Sequence, residues 1–241
     1  MKRPDGTSLK TTQRADYDKS VHATALMKQH DQSAPTCNDC HGNHGATPPG
    51  VDAVSNVCGT CHASIAARFA TSPHKPVLEK ACVECHGNHA VLEPADEMLG
   101  RQPPAVCLAC HTDNDDPGAV GAGKMRADIE RLKREITSAS SLIERVKRAG
   151  MEVADQEVAL AGVRSQLVLA RTEVHAFNPT TFTPVVGEGL KLAAGVDRAG
   201  QNALSELAFR RRGLGISLVV ILLMVVALAF KIRDVDRRNG D

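Results

Sequence analysis

Cys37-Asn-Asp-Cys40-His41 recurs as Cys58-Gly-Thr-Cys61-His62, Cys82-Val-Glu-Cys85-His86 and Cys107-Leu-Ala-Cys110-His111. The four C-x-x-C-H motifs lie within 75 positions and use all eight cysteines of the 241-residue chain. Little else in the sequence can fill a core. There are one Tyr, five Phe and no Trp, 2% aromatic in all, whereas aromatic side chains supply much of the buried area of ordinary domains. Charge is unevenly divided. Residues 1–123 hold 10 Lys and Arg against 14 Asp and Glu, and residues 124–241 hold 19 against 14. An acidic, Cys- and His-rich front half therefore precedes a basic half without cysteine. The net charge of +1 argues against a whole-chain nucleic-acid footprint.

The spacing selects the chemistry. Structural zinc uses paired C-x-x-C motifs and exported domains use cysteines in disulfides, but neither needs a His directly after every second Cys. A thioredoxin-like redox motif needs a βαβ setting, which this Gly- and Pro-rich stretch lacks. C-x-x-C-H is the attachment signature of c-type haem. Two thiols two residues apart add to the vinyl groups on one edge of the porphyrin, and the next His swings under the ring to ligate the iron. Residues 19–116 accordingly resemble the multihaem c-type cytochromes. The expected cofactors are four covalent haems, with Cys37, Cys40, Cys58, Cys61, Cys82, Cys85, Cys107 and Cys110 as attachment points and His41, His62, His86 and His111 as proximal ligands.

The region also contains a degenerate repeat. Ser20-Val-His22, Cys37 to His41-Gly-Asn-His44, then Cys58 to His62 is matched by Ser72-Pro-His74, Cys82 to His86-Gly-Asn-His89, then Cys107 to His111. Multihaem families commonly use such extra histidines as distal ligands. His22, His44, His74 and His89 match the haem count and are the expected distal set, giving bis-His coordination throughout. His30, without a counterpart in the second copy, and His175, far away in the helical half, are alternates; as the set is already complete, His175 is expected to be structural. An iron with both axial positions filled exchanges electrons and leaves no place for substrate, so an electron carrier is expected rather than an enzyme. The alternative is a multihaem reductase of a small nitrogen or sulfur oxyanion, with one open haem.

The fold expected is mostly α and irregular, a loop-rich tetrahaem cytochrome c domain followed by a long-helix stalk and a C-terminal transmembrane helix. Residues 1–18 form an N-terminal arm and 19–116 the haem domain, where prolines confine helix to Val21–Lys28, Ile65–Ala70 and Ala105–Cys110. Residues 117–123, Pro-Gly-Ala-Val-Gly-Ala-Gly, read as a flexible linker. Residues 124–212 form a coiled-coil-like stalk. Ile129, Leu132, Ile136, Ala139, Ile143 and Val146 follow heptad spacing, and Val153, Leu160, Val163, Leu167, Ala170, Val174 and Phe177 form a second phase that ends at Asn178-Pro179. A third helix is expected over 184–212. A straight helix over 124–177 would rise about 81 Å while one over 184–212 returns only about 43 Å. The first stretch must therefore fold back, with Gly150 as the turning point. That three-helix arrangement carries His175 back towards the haem domain.

Gly213 to Phe230 is 18 residues without a charge, about 27 Å of helix, between Arg210-Arg211-Arg212 and the basic tail 231–241. This is the expected membrane span. The flanking charges do not decide orientation, but covalent haem attachment occurs outside the bacterial cytoplasm. The haem domain is therefore expected to be periplasmic or external and the tail cytoplasmic, with lipid contact through one helix. An export signal is expected, and Met1-Lys-Arg-Pro-Asp-Gly is not one. Expected partners are redox proteins and a quinol-oxidising membrane subunit; the stalk is compatible with an oligomer. The role is similar to that of anchored tetrahaem quinol dehydrogenases, which carry their anchor at the other terminus.

Overall fold

The computed structural model describes residues 6, 8, 11–42, 57–113 and 115–239, and among these it is mostly helical, with no strand. The short helices are α1 (Gln13–Tyr17), α2 (Val21–Lys28), α3 (Cys37–His41), α4 (Ala63–Ala70) and α5 (Cys82–His86), followed by the long α6 (Pro117–Arg148), α7 (Ala154–Glu173) and α8 (Pro179–Asn239). Two compact units emerge: Met1–Lys133 with Ser165–Gly189, and Arg134–Arg164 with Leu190–Asp241.

The N-terminal part of the first unit is built from helices of one or two turns. Thr36 and Asp39 form a reciprocal capping box that starts α3, the device that satisfies two orphan amides at a helix N-terminus. The helix ends at Gly42, φ +76°, and α5 ends in the same way at Gly87, φ +72°. Both glycines belong to His-Gly-Asn-His, and the left-handed φ explains why glycine stands there. α2 matches the sequence expectation to the residue, with the buried Ser20 accepting from the Ala23 amide. α4 begins two residues earlier than expected, and 105–110 holds only a tight 3-10 turn over Val106–Ala109. Val21 N–H donates to the Val91 carbonyl at 2.8 Å, tying the two sequence repeats together.

The stretch 117–123 is not a linker. It is the first two turns of α6. Pro117 occupies the first helical position, where its missing N–H costs nothing, and Asp116 Oδ1 accepts from the amides of Gly118 and Ala119 at 2.7 and 3.0 Å. The glycines serve close approach rather than flexibility. A Cβ on Gly118 would run into the His111 ring, and one on Gly123 would lie 2.7 Å from Arg101 Cδ.

Within the first unit, α6 buries Ala119, Ala122, Met125, Ile129 and Leu132, and the later helices add Ala170, Phe182 and Val186. Leu132 is fully enclosed, and a Cβ on Gly189 of α8 would be only 3.0 Å from it. Charged contacts bind the same helices to the loop before motif four. Asp96 meets Lys133 at 2.9 Å and Arg171 at 2.8 Å, and Arg126 meets Glu97 at 2.6 Å.

The second unit has its own seam: Ala139, Leu142, Ile143, Val146, Val153, Leu160, Val163, Ala193 and Val196 are buried. The chain turns at Gly150, φ +82°, as the length argument requires, and Lys147 pairs with Glu157 across the turn at 2.7 Å. α8 starts at Pro179 rather than 184, with Asn178 Oδ1 accepting from the Thr180 amide at 2.9 Å. It runs unbroken through 213–230, so the third stalk helix and the apolar segment are one element. This helix is long and apolar enough to cross a membrane, and its apolar stretch is buried nowhere. Ser217 donates its hydroxyl to the Gly213 carbonyl one turn back, at 3.0 Å, the local bond open to a serine within a helix.

Replacing Leu132 with Ala should destabilise the first unit by about 2–5 kcal/mol. Val158→Ala, on an exposed face of α7, should change stability by less than about 0.5 kcal/mol. Thermal unfolding of the detergent-solubilised protein separates the two.

Candidate functional site

One helical turn explains the motif. Residues three and four apart share a face of a helix, so a turn over C-x-x-C-H sets both sulfurs and the imidazole on one side. Motifs one and three are helices α3 and α5 themselves. In motifs two and four the same geometry is held by the His62 amide on the Cys58 carbonyl and the His111 amide on the Cys107 carbonyl, both at 2.9 Å. Burial raises the pKa of the Cys40 and Cys85 thiols.

Each motif histidine faces a second imidazole. His41 and His89 have ring centroids 5.9 Å apart with planes 16° from parallel. His22 and His62 are 6.4 Å apart at 28°, and His86 and His175 are 6.2 Å apart at 24°. His74 and His111 are 6.0 Å apart with planes at 78°. A metal–imidazole bond of about 2.0–2.1 Å, with about 1 Å from nitrogen to ring centre on each side, puts the centroids of two imidazoles sharing one metal a little over 6 Å apart. The residues present therefore fit a haem iron at each pair. Among the described residues no three His, Cys, Asp or Glu side chains converge as a metal site, which is the opposite of a tetrahedral zinc centre.

The pairs follow the repeat in part. In each copy the upstream Ser-x-His residue, His22 or His74, faces the second motif of that copy. His89 faces the first motif of the other copy. Repeat symmetry would then bring His44 to His86; His44 lies outside the described residues, and the imidazole facing His86 belongs to His175. His175, an alternate ligand in the sequence reading and expected there to be structural, thus stands opposite His86. Its signal was the fold-back at Gly150, which does return it to the first unit. His30 is exposed, with φ +57°, and faces none of the motif histidines.

Hydrogen bonds orient the rings. His111 Nδ1 lies 2.6 Å from Asp116 Oδ1, and His175 Nδ1 lies 3.1 and 3.2 Å from the carbonyls of Arg171 and Thr172. A proton held at Nδ1 by such acceptors leaves Nε2 for a metal. His74 presents its ring to the edge of Phe177 at 4.2 Å, and its Nδ1 is buried without a hydrogen-bond partner. Burial lowers the pKa of His22, His74, His86 and His175, and the neighbouring imidazole lowers the first three further. All four are thereby kept neutral, as a ligand must be.

Residues 74–116 match the family described as the doubled CXXCH motif. No curated protein and no solved structure matches the chain. The match and the motifs indicate a multihaem c-type cytochrome character, with covalently bound c-type haem.

One carboxylate near the site has a readable pH signature. Burial alone would raise the pKa of Asp96, but hydrogen bonds from Arg171 and Lys133 outweigh it and hold the carboxyl at about 2. A depressed carboxylate stabilises the fold above its unfolded pKa and loses that contribution as pH falls through the folded value. Stability should therefore decline between about pH 4 and pH 2, and Asp96→Asn should remove that part of the slope in denaturation measured against pH.

Proposed function

We propose that this chain is a membrane-anchored tetrahaem c-type cytochrome, bis-His at every iron, that carries electrons between a quinol-linked membrane donor and a periplasmic or extracellular redox protein. The observation that carries the reading is the set of four facing imidazole pairs, His41–His89, His22–His62, His86–His175 and His74–His111, at 5.9–6.4 Å. Bound haem supplies one-electron iron chemistry, tuned by axial ligands, burial and hydrogen bonding. The chain's own contribution would be to offer two imidazoles to each iron, with the His111 and His175 rings oriented by hydrogen bonds to Asp116 and to the Arg171 and Thr172 carbonyls. The distal set is then His22, His74, His89 and His175.

A reductase needs one iron face left open for substrate. Every motif histidine has an imidazole opposite it, so no observation favours that reading. α8 would hold the protein in the bacterial cytoplasmic membrane, with the haem domain outside and the tail in the cytoplasm. The basic residues on both sides of its apolar stretch suit lipid headgroups.

The purified protein should give four haems per chain by pyridine haemochrome assay, and intact mass should exceed the polypeptide by four haem groups. Fewer than four, or haem extracted by acidified acetone, would contradict the reading. Membranes washed with alkaline carbonate should retain the protein.

A further inference from the structure

Asp96 stands at the start of a single 3-10 turn, Asp96–Met98, just before motif four. Its side chain is 7% exposed, although carboxylates are rarely that buried unless paired. Oδ1 accepts from Arg171 Nε and Oδ2 from Arg171 Nη2, both at 2.8 Å, and Oδ2 also accepts from Lys133 Nζ at 2.9 Å. The two Arg171 bonds form the parallel fork in which guanidinium and carboxylate fix direction as well as distance. Arg171 is one helical turn before His175, and its carbonyl is an acceptor for His175 Nδ1. Glu173, equally buried, pairs with Arg68 of α4 at 2.5 Å. Beyond it the chain tightens into the 3-10 turn Val174–Ala176 and passes through Phe177 at φ +47°, a conformation that L-residues hold only when their surroundings impose it.

A helix end leaves carbonyls without intrahelical partners and is where local opening begins. His175 sits at such an end. Exposed ion pairs such as Lys147–Glu157 contribute little; the Asp96 fork differs in that its carboxylate is buried, with Arg171 about half exposed, and in being bidentate and shared with a third charge.

We infer that Asp96 is a positioning residue for His175, its fork with Arg171 holding the last turn of α7 so that the imidazole stays opposite His86. The inference rests on the reading of His86–His175 as an axial pair, and Glu173–Arg68 is a second strut on the same turn.

Carbon monoxide tests both levels, because it binds a reduced haem only when an axial ligand has left. Wild-type holoprotein reduced with dithionite should take up carbon monoxide slowly. His175→Ala should bind one equivalent per chain rapidly. Asp96→Asn should bind the same single equivalent about tenfold faster than wild type, the loss expected for one charge-assisted hydrogen bond. Arg171→Lys, which keeps the charge without the fork, should fall between. The double variant Asp96→Asn/His175→Ala should bind no faster than His175→Ala alone, because the two changes act through one step.

If His175→Ala opens a haem and Asp96→Asn keeps the wild-type rate, the positioning role is wrong. If Asp96→Asn opens more than one haem, it acts by general loosening and the role is equally wrong. If His175→Ala itself behaves as wild type, the axial assignment fails instead. Should Asp96→Asn not load four haems, Arg171→Lys carries the same test, and a wild-type rate there overturns the inference.

Discussion

Two imidazoles that share one metal must stand a little over 6 Å apart and point their nitrogens at each other. A single helical turn of C-x-x-C-H delivers one imidazole, but the opposing one has to come from elsewhere in the chain. In the proposed reading this requirement organises the first unit. It explains why Val21 bonds to Val91, bringing the two repeats together so that His89 of one faces His41 of the other. It also explains why α7 returns to the first unit, since His86 is faced by a residue 89 positions downstream.

The consequence is a division of labour between short and long elements. The motif turns are set by local bonds: a capping box at Thr36, left-handed glycines at 42 and 87, and amide bonds onto Cys58 and Cys107. The long helices supply what so few aromatic residues cannot, a packed centre of Ala, Leu, Ile and Val. Asp116 joins the two levels, capping α6 while accepting from His111. In the proposed reading, an iron ligand and the first turn of the long helix are therefore fixed by one carboxylate. In the proposed reading these hydrogen bonds would hold the His111 and His175 rings in place for an iron.

What the sequence made legible was local or periodic. α2 follows from the run Val21–Lys28 and its Ser20 cap, and of the heptad positions, Ile129, Leu132, Ala139, Ile143 and Val146 are buried while Ile136 is half-buried. Gly150 turns the chain because length left no other place. The misreadings have a common cause: a contact distant in sequence outweighed a local rule. Gly118 and Gly123 look like a break, yet each makes room for a side chain, His111 or Arg101, that local reading could not bring near. The imidazole opposite His86 comes from His175, outside the repeat, where repeat symmetry gives no signal. The Asp96–Arg171 fork links residues 75 positions apart, and no motif announces it.

The central claim is that every iron in this chain lies between two histidines. Electron paramagnetic resonance of the fully oxidised, intact protein at low temperature tests it most directly. Low-spin ferric signals alone are expected, with the His74–His111 centre distinguished by its near-perpendicular rings. A high-spin signal amounting to a quarter of the iron would mean one open haem, and would contradict it.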